Sequence, residues 1–185
     1  MSLPYGLLGL LSYQSSTGYE LTKIFNESLN NFWRAQSSQI YRELNKMEQK
    51  GWVSSQSVIQ EGRPNKRVYS ITADGRGVLM DWLHEGSLEL ENRHDPLLMR
   101  IFFGSDAPEV TLALLQAYRG ALAAGLKNFA GNVQASIDNY ASEIPDGKVK
   151  SLFWQMTLDY GIAQAEASAQ WAQRCIERLE EEIGK

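Results

Sequence analysis

Leu7, Leu8, Leu10 and Leu11 crowd a segment of about residues 3–13, which predicts a short helix buried on most sides. A turn at Gln14-Ser15-Ser16 follows. Thr17-Gly-Tyr-Glu20 has the spacing of a capping box and opens a second helix over about 18–30, with Leu21, Ile24 and Phe25 facing inward. Asn30-Asn31 and Ser37-Ser38 bracket a connector. Ser37 or Ser38 is placed to cap a third helix, which Gly51 ends. After Gly51 the period shortens towards two. One strand runs from Trp52-Val53 to Val58-Ile59, and Arg67–Ile71 returns. Glu61-Gly-Arg-Pro-Asn65 between them is turn chemistry. Thr72 then caps a fourth helix that carries Leu79, Trp82 and Leu83.

Beyond residue 85 the pattern is helical. Residues 86–96 are polar and read as a linker between an N-terminal domain (1–85) and a C-terminal one (97–185). Leu97–Phe103 is a short apolar segment. Ser105-Asp106 with Pro108 and Glu109 starts a helix that reaches about Tyr140, and Ile144-Pro145-Asp146-Gly147 breaks it. A last helix covers about 148–183. Along it Leu158, Ile162, Ala165, Ala169, Ala172, Ile176 and Leu179 alternate spacings of four and three, an a/d seam that needs a partner helix. That partner is the same helix of a second subunit, the 108–140 helix, or the N-terminal helix. The predicted fold is mainly α with one small β-hairpin: an N-terminal winged helix-turn-helix and a C-terminal antiparallel helical domain expected to dimerise.

The third helix carries the chemistry. Ile40, Leu44 and Met47 share one face, and the opposite face shows Ser38, Arg42, Asn45 and Gln49, flanked by Gln39 and Lys46. Solvated helix faces usually mix Glu with Lys, whereas this one is almost free of carboxylate. Arg bridges guanine O6/N7, and Asn or Gln bridges adenine N6/N7, in the DNA major groove. Tyr41 lies at the border, placed to meet a phosphate or cover the core. At the hairpin, Arg63, Asn65, Lys66 and Arg67 surround a Gly-x-Pro turn, a stiff cationic tip suited to flanking phosphates or the minor groove.

The net charge of −4 argues against a nucleic-acid partner until it is divided by region. Residues 34–67 hold seven Lys/Arg against three Asp/Glu, a local +4, while 86–185 hold nine against fourteen. The local field governs attraction to phosphate. The single cysteine, Cys175, precludes an intrachain disulfide and fits a reducing compartment, so a cytoplasmic location is expected. His84 and His94 lack a second ligand at metal spacing, and no nucleophile is paired with a base. No catalytic residue, metal or cofactor is therefore expected, and no apolar run is long enough to span a bilayer.

Several stretches together resemble a known family. Leu7-Leu-Gly-Leu-Leu11, Thr17-Gly-Tyr-Glu-Leu21, Gln39-Ile-Tyr-Arg-Glu-Leu44, Met47-Glu-Gln-Lys-Gly-Trp-Val53, Gly62-Arg-Pro-Asn-Lys-Arg-Val-Tyr69 and Ile71-Thr-Ala-Asp-Gly75 occur in the order and spacing of the PadR-like transcriptional regulators. The rest resembles, more loosely, the longer members with a C-terminal helical domain ending near a tryptophan such as Trp171. The resemblance implies a regulator, expected to be a repressor, that binds double-stranded DNA as a homodimer. Residues 38–49 would be the recognition helix and 60–68 the wing. Family members often respond to small aromatic compounds, and Phe153, Trp154, Met156, Tyr160 and Trp171 supply aromatic surface for such a ligand or for the core. The alternative class is a winged-helix protein-interaction module that does not bind DNA.

Overall fold

The computed structural model describes residues 2–29, 32–59, 66–86 and 95–183. The N-terminal elements are α1 (Leu3–Tyr13), β1 (Ser16–Thr17), α2 (Gly18–Ser28), α3 (Ser37–Gln49), β2 (Val53–Val58), β3 (Lys66–Ile71) and α4 (Ala73–Glu85). They enclose one core in which Leu7, Leu8 and Leu11 of α1 meet Leu21 and Phe25 of α2, Ile40, Leu44 and Met47 of α3, and Val53 and Tyr69 of the sheet. Three leucines within five residues thus serve as the hub of the unit, as expected for a helix covered on most sides.

Local chemistry sets the boundaries. The capping box at α2 is complete: the Thr17 amide donates to Glu20 Oε2 (2.8 Å) and the Glu20 amide donates to Thr17 Oγ1 (3.1 Å). Gly51, at φ +75°, takes the left-handed conformation that stops α3 and turns the chain into β2. Thr72 caps α4 by accepting from the Gly75 amide (3.0 Å), and its hydroxyl donates to the Gly51 carbonyl (2.7 Å), tying this cap to the end of α3.

Within these N-terminal elements two features differ from the sequence reading. The turn at 14–16 contributes a third strand: β1 pairs antiparallel with β3, Ser16 opposite Tyr69 and Thr17 opposite Val68, so the sheet order is β1-β3-β2. The cap of α3 is Gln36, not Ser37 or Ser38; its amide donates to Gln39 Oε1 (2.8 Å), and both serines lie inside the first turn.

The remaining elements are α5 (Pro96–Phe102), a 3₁₀ turn at Gly104–Asp106, α6 (Pro108–Asn128), α7 (Gln134–Glu143) and α8 (Gly147–Ile183). Asp95 starts α5 by accepting from the Leu97 and Leu98 amides (2.9 and 3.2 Å). The expected single helix to Tyr140 is interrupted by a π-helical turn at Phe129–Val133, one extra residue inserted without any proline. α6 and α8 run antiparallel. Leu115 packs with Ala172 and Ile176, Tyr118 meets Trp171 edge-on at 6.4 Å, and the ring of Phe129 lies beside Gly161. Phe129, just past the end of α6, thus meets an earlier residue of α8 than Leu115 does.

The chain divides into two compact units, one of Met1–Leu88 with Asn139–Lys148 and the other of Glu89–Asp138 with Val149–Lys185. The segment around the α7–α8 turn, read from sequence as part of the helical domain, therefore packs with the N-terminal elements. Burial, Glu27 and Glu143, and then Glu20, push the Tyr140 phenol upward in pKa, which places its ring near the carboxylates of α2. Most of the polar linker read at 86–96 lies outside the described residues.

Candidate nucleic-acid interface

α3 is amphipathic in the sense its sequence requires. Ile40, Leu44 and Met47 are fully buried, while Ser38, Gln39, Tyr41, Arg42, Asn45, Lys46 and Gln49 are all exposed. Ser38, Arg42, Asn45 and Gln49 follow one another at intervals of four, three and four, and so form one stripe along the helix. The two carboxylates of α3 lie off this stripe and are occupied. Glu43 pairs with Lys46 at 3.5 Å, and Glu48 pairs with Arg67 at 2.5 Å.

Not every polar group on the helix is equally available. Gln39 spends its carbonyl oxygen on the α3 cap. Arg42 lies back along its helix, with Nε donating to the Ser38 carbonyl (3.2 Å), so Nη1 and Nη2 remain as the outward fork. Lys50, beyond the helix end, stands 4.3 Å from the centre of the Trp52 ring. Tyr41 lies across Gly18 at the start of α2, so it caps the joint between the two helices and shows only part of its ring to solvent.

A groove of about 450 Å³ runs beside the stripe, lined by Arg34, Gln39, Arg42, Lys46 and the Glu43 that pairs with Lys46, along with Trp33 and the first residues of α1. Arg34 and Trp33 were not singled out from sequence. They lie in an irregular connector without periodicity, and the only signal was the charge of Arg34 within the basic stretch.

Only part of the wing lies within the described residues. Arg63 and Asn65 lie outside the described residues. Lys66 and Arg67 are exposed at the start of β3 but point to opposite faces, because side chains alternate along a strand. Lys66 sits near Glu20, whose carboxyl is held below its usual range, chiefly by the Thr17 amide and hydroxyl and more weakly by Lys66. Arg67 turns the other way. Its Nη2 donates to Glu48 Oε2 (2.5 Å), its Nε donates to Ser55 Oγ (2.8 Å), and its guanidinium lies 5.3 Å from the centre of the Tyr69 ring.

Part of the α8 seam is covered within the chain. Leu158, Ala165, Ala172 and Ile176 are buried, while Ile162, Ala169 and Leu179 are half-buried. Leu115 of the 108–140 helix covers its Ala172–Ile176 stretch. A different stripe of α8 is uncovered: Val149, Leu152, Phe153, Met156 and Tyr160 are each more than half exposed. Trp171 is committed to Tyr118. Among the described residues no group of three or more His, Cys, Asp or Glu is placed to hold a metal ion, and no helix is long and apolar enough to cross a membrane.

A helix-turn-helix whose outer helix bears an exposed polar stripe, followed by a β-hairpin packed against that helix, defines a winged helix-turn-helix protein. Residues 7–81 match the transcriptional regulator PadR-like family, and residues 94–180 match the family described as virulence activator alpha C-term. Over its N-terminal part the chain is therefore similar to the transcriptional regulator PadR-like family. It is 46% identical over 85 residues to a probable transcriptional regulator of Mycobacterium tuberculosis, covering 46% of this chain and 45% of that one. It is 36% identical over 101 residues to the negative transcriptional regulator PadR of Bacillus subtilis, covering 55% of this chain and 56% of that one. The chain thus spans about half the length of the curated relatives it matches. Its fold is similar to the crystal structure of Bacillus subtilis PadR in complex with operator DNA, with a TM-score of 0.79, 26% identity, and coverage of 97% of this chain and 99% of that one.

Proposed function

We propose that this chain is a sequence-specific DNA-binding repressor that acts as a homodimer on a two-fold operator. The observation that carries the reading is the exposed stripe of Ser38, Arg42, Asn45 and Gln49, free of carboxylate and backed by three fully buried apolar residues. Such a stripe enters a major groove and offers Arg to guanine and Asn or Gln to adenine. Arg34 in the adjoining groove suits a flanking phosphate, as Lys66 does from the hairpin, while Lys46 lines the same groove beside its partner Glu43. Repression is supported by the likeness to a negative regulator.

The pairing surface in this proposal is the uncovered stripe of α8. Five large apolar side chains at helical spacing, Val149 to Tyr160, form a band of the kind that marks an interface. Two half-sites one helical turn apart, about 34 Å, call for a two-fold protein. A small aromatic effector fits the same reading, since a ligand that alters the separation or tilt of two reading heads favours a state that does not bind. Adding aromatic acids to a preformed operator complex tests that part.

Selection of bound DNA from a random pool is the deciding experiment. The proposal expects an enriched two-fold sequence, and Arg42→Ala should lose about 1–3 kcal/mol of affinity together with base preference at one position. Lys66→Ala should weaken all sequences alike. A pool that enriches nothing would leave protein partners as the reading.

A further inference from the structure

We infer that Glu48, Ser55 and Arg67 form a brace that sets the hairpin against the reading helix, so that Arg67 acts as a positioning residue and not as a contact to DNA phosphate. The inference rests on the DNA-binding reading above. It reassigns one of the four wing residues expected from sequence to meet DNA.

The geometry is a closed ring. Arg67 Nη2 donates to Glu48 Oε2 at 2.5 Å, Arg67 Nε donates to Ser55 Oγ at 2.8 Å, and the Ser55 hydroxyl donates to Glu48 Oε1 at 2.6 Å. Ser55 uses its one proton and one lone pair, and both carboxylate oxygens are occupied. The register makes the ring possible. Ser55 faces Tyr69 and Ser57 faces Arg67 across the β2–β3 ladder, so Arg67 is the diagonal neighbour of Ser55 on the same face of the sheet. That face also carries Val53 and Tyr69, both buried against the core. Arg67 therefore points back towards the C-terminal turn of α3, while Lys66, one residue earlier, points away.

Magnitude decides what the ring is for. Partly exposed ion pairs add little to stability. Glu48 also cancels the Arg67 charge at close range, so the pair adds little to the field felt by a phosphate. The feature left to it is geometric. It links residues 12 and 19 positions apart in sequence, and it joins the two elements that must reach DNA together. A constellation of this kind depends on a supporting shell that fixes the angle between its parts.

The experiment measures operator affinity against salt for wild type, Glu48→Gln, Arg67→Gln, the exchanged pair Glu48→Arg/Arg67→Glu, Ser55→Ala and Lys66→Ala. The brace predicts that Glu48→Gln and Arg67→Gln each lose operator affinity with the salt slope unchanged. It also predicts that the exchanged pair recovers most of that loss. Lys66→Ala should lower the slope by about 0.9, the value for one phosphate. If instead Arg67→Gln lowers the slope by that amount and Glu48→Gln tightens binding by freeing a cation, Arg67 touches DNA and the brace is overturned. Should either charge variant fail to fold, Ser55→Ala decides, because it breaks two links and leaves both charges: lost affinity supports the brace and unchanged affinity overturns it. A wild-type protein that binds no DNA defeats the DNA reading instead. Amide exchange along β2 and β3 then judges the brace, with faster exchange in Glu48→Gln supporting it and no change overturning it.

Discussion

The ring of Tyr41 lies so close over Gly18 that a β-carbon placed there would be 2.4 Å from Cε1. A helix-turn-helix needs its two helices at a fixed angle, and here a missing side chain on α2 admits an aromatic one from α3. Gly18→Ala must displace the ring, and overpacking costs about 1–3 kcal/mol. The partial exposure of Tyr41 puts the expected cost at the low end, because the ring can swing outward. With Tyr41→Ala already present, the same change should be neutral or stabilising, since alanine is the better helix former. A double-mutant cycle on denaturant midpoints reads the coupling directly; strictly additive effects would mean that the two residues do not meet.

The capping box at α2 predicts an acid-sensitive contribution. The Glu20 carboxyl is held below its usual range first by the Thr17 amide, then by the Thr17 hydroxyl. A carboxylate depressed on folding stabilises the protein fully above its unfolded pKa, and that contribution disappears as pH falls through the depressed value. Glu20→Gln should therefore melt below wild type at neutral pH, and the two curves should converge in acid. Thr17→Ala, which removes the other half of the box, should cost about 1 kcal/mol near neutrality. A constant gap between Glu20→Gln and wild type across the acid range would refute this account.

Most of the N-terminal unit could be read from the chain because its signals are local. The Thr17–Glu20 spacing, Gly51, the change of period at Trp52 and the Thr72 cap each act within a few residues of the structure they specify. The elements that escaped are those whose cause lies elsewhere. β1 is two residues long, too short to show alternation, and exists only because β3 offers it an edge. The π-helical turn at 129–133 holds Gly131 and Asn132, weak helix formers that helices tolerate and that do not by themselves signal one extra residue. At the candidate interface, the stripe of α3 was legible from periodicity. The fate of Arg67 was not, because it depends on strand register and on Glu48, 19 residues away. The seam of α8 was recognised as a face in need of a partner, but a heptad pattern does not say which helix will cover it.

The cover over the Ala172–Ile176 stretch of that seam can be tested by stability alone. Leu115 is fully buried against Ala172 and Ile176. Leu115→Ala removes a core side chain and leaves a cavity, at a cost of about 2–5 kcal/mol. The expected outcome is a large fall in the denaturant midpoint, present even at concentrations where the protein is monomeric. A loss seen only at high protein concentration would place Leu115 at a subunit contact instead.

The opposite behaviour is expected of the uncovered stripe on α8. Phe153 is 60% exposed and Met156 is 55% exposed, so neither is needed for the fold of a single chain. Their burial can stabilise only an assembly, at about 25 cal/mol for each Å² of apolar surface removed from water. Placing a carboxylate at either position should therefore separate two effects that Leu115→Ala combines. Phe153→Glu and Met156→Glu should shift sedimentation from dimer to monomer while leaving the monomer's melting temperature nearly unchanged. Operator binding should fall because the two reading heads are no longer held at half-site spacing, while binding to a single half-site should persist at its weaker level. A variant that remains dimeric and binds the whole operator as wild type does would exclude this stripe as the pairing surface, and the half-exposed Ile183 end of α8 would be the next place to look.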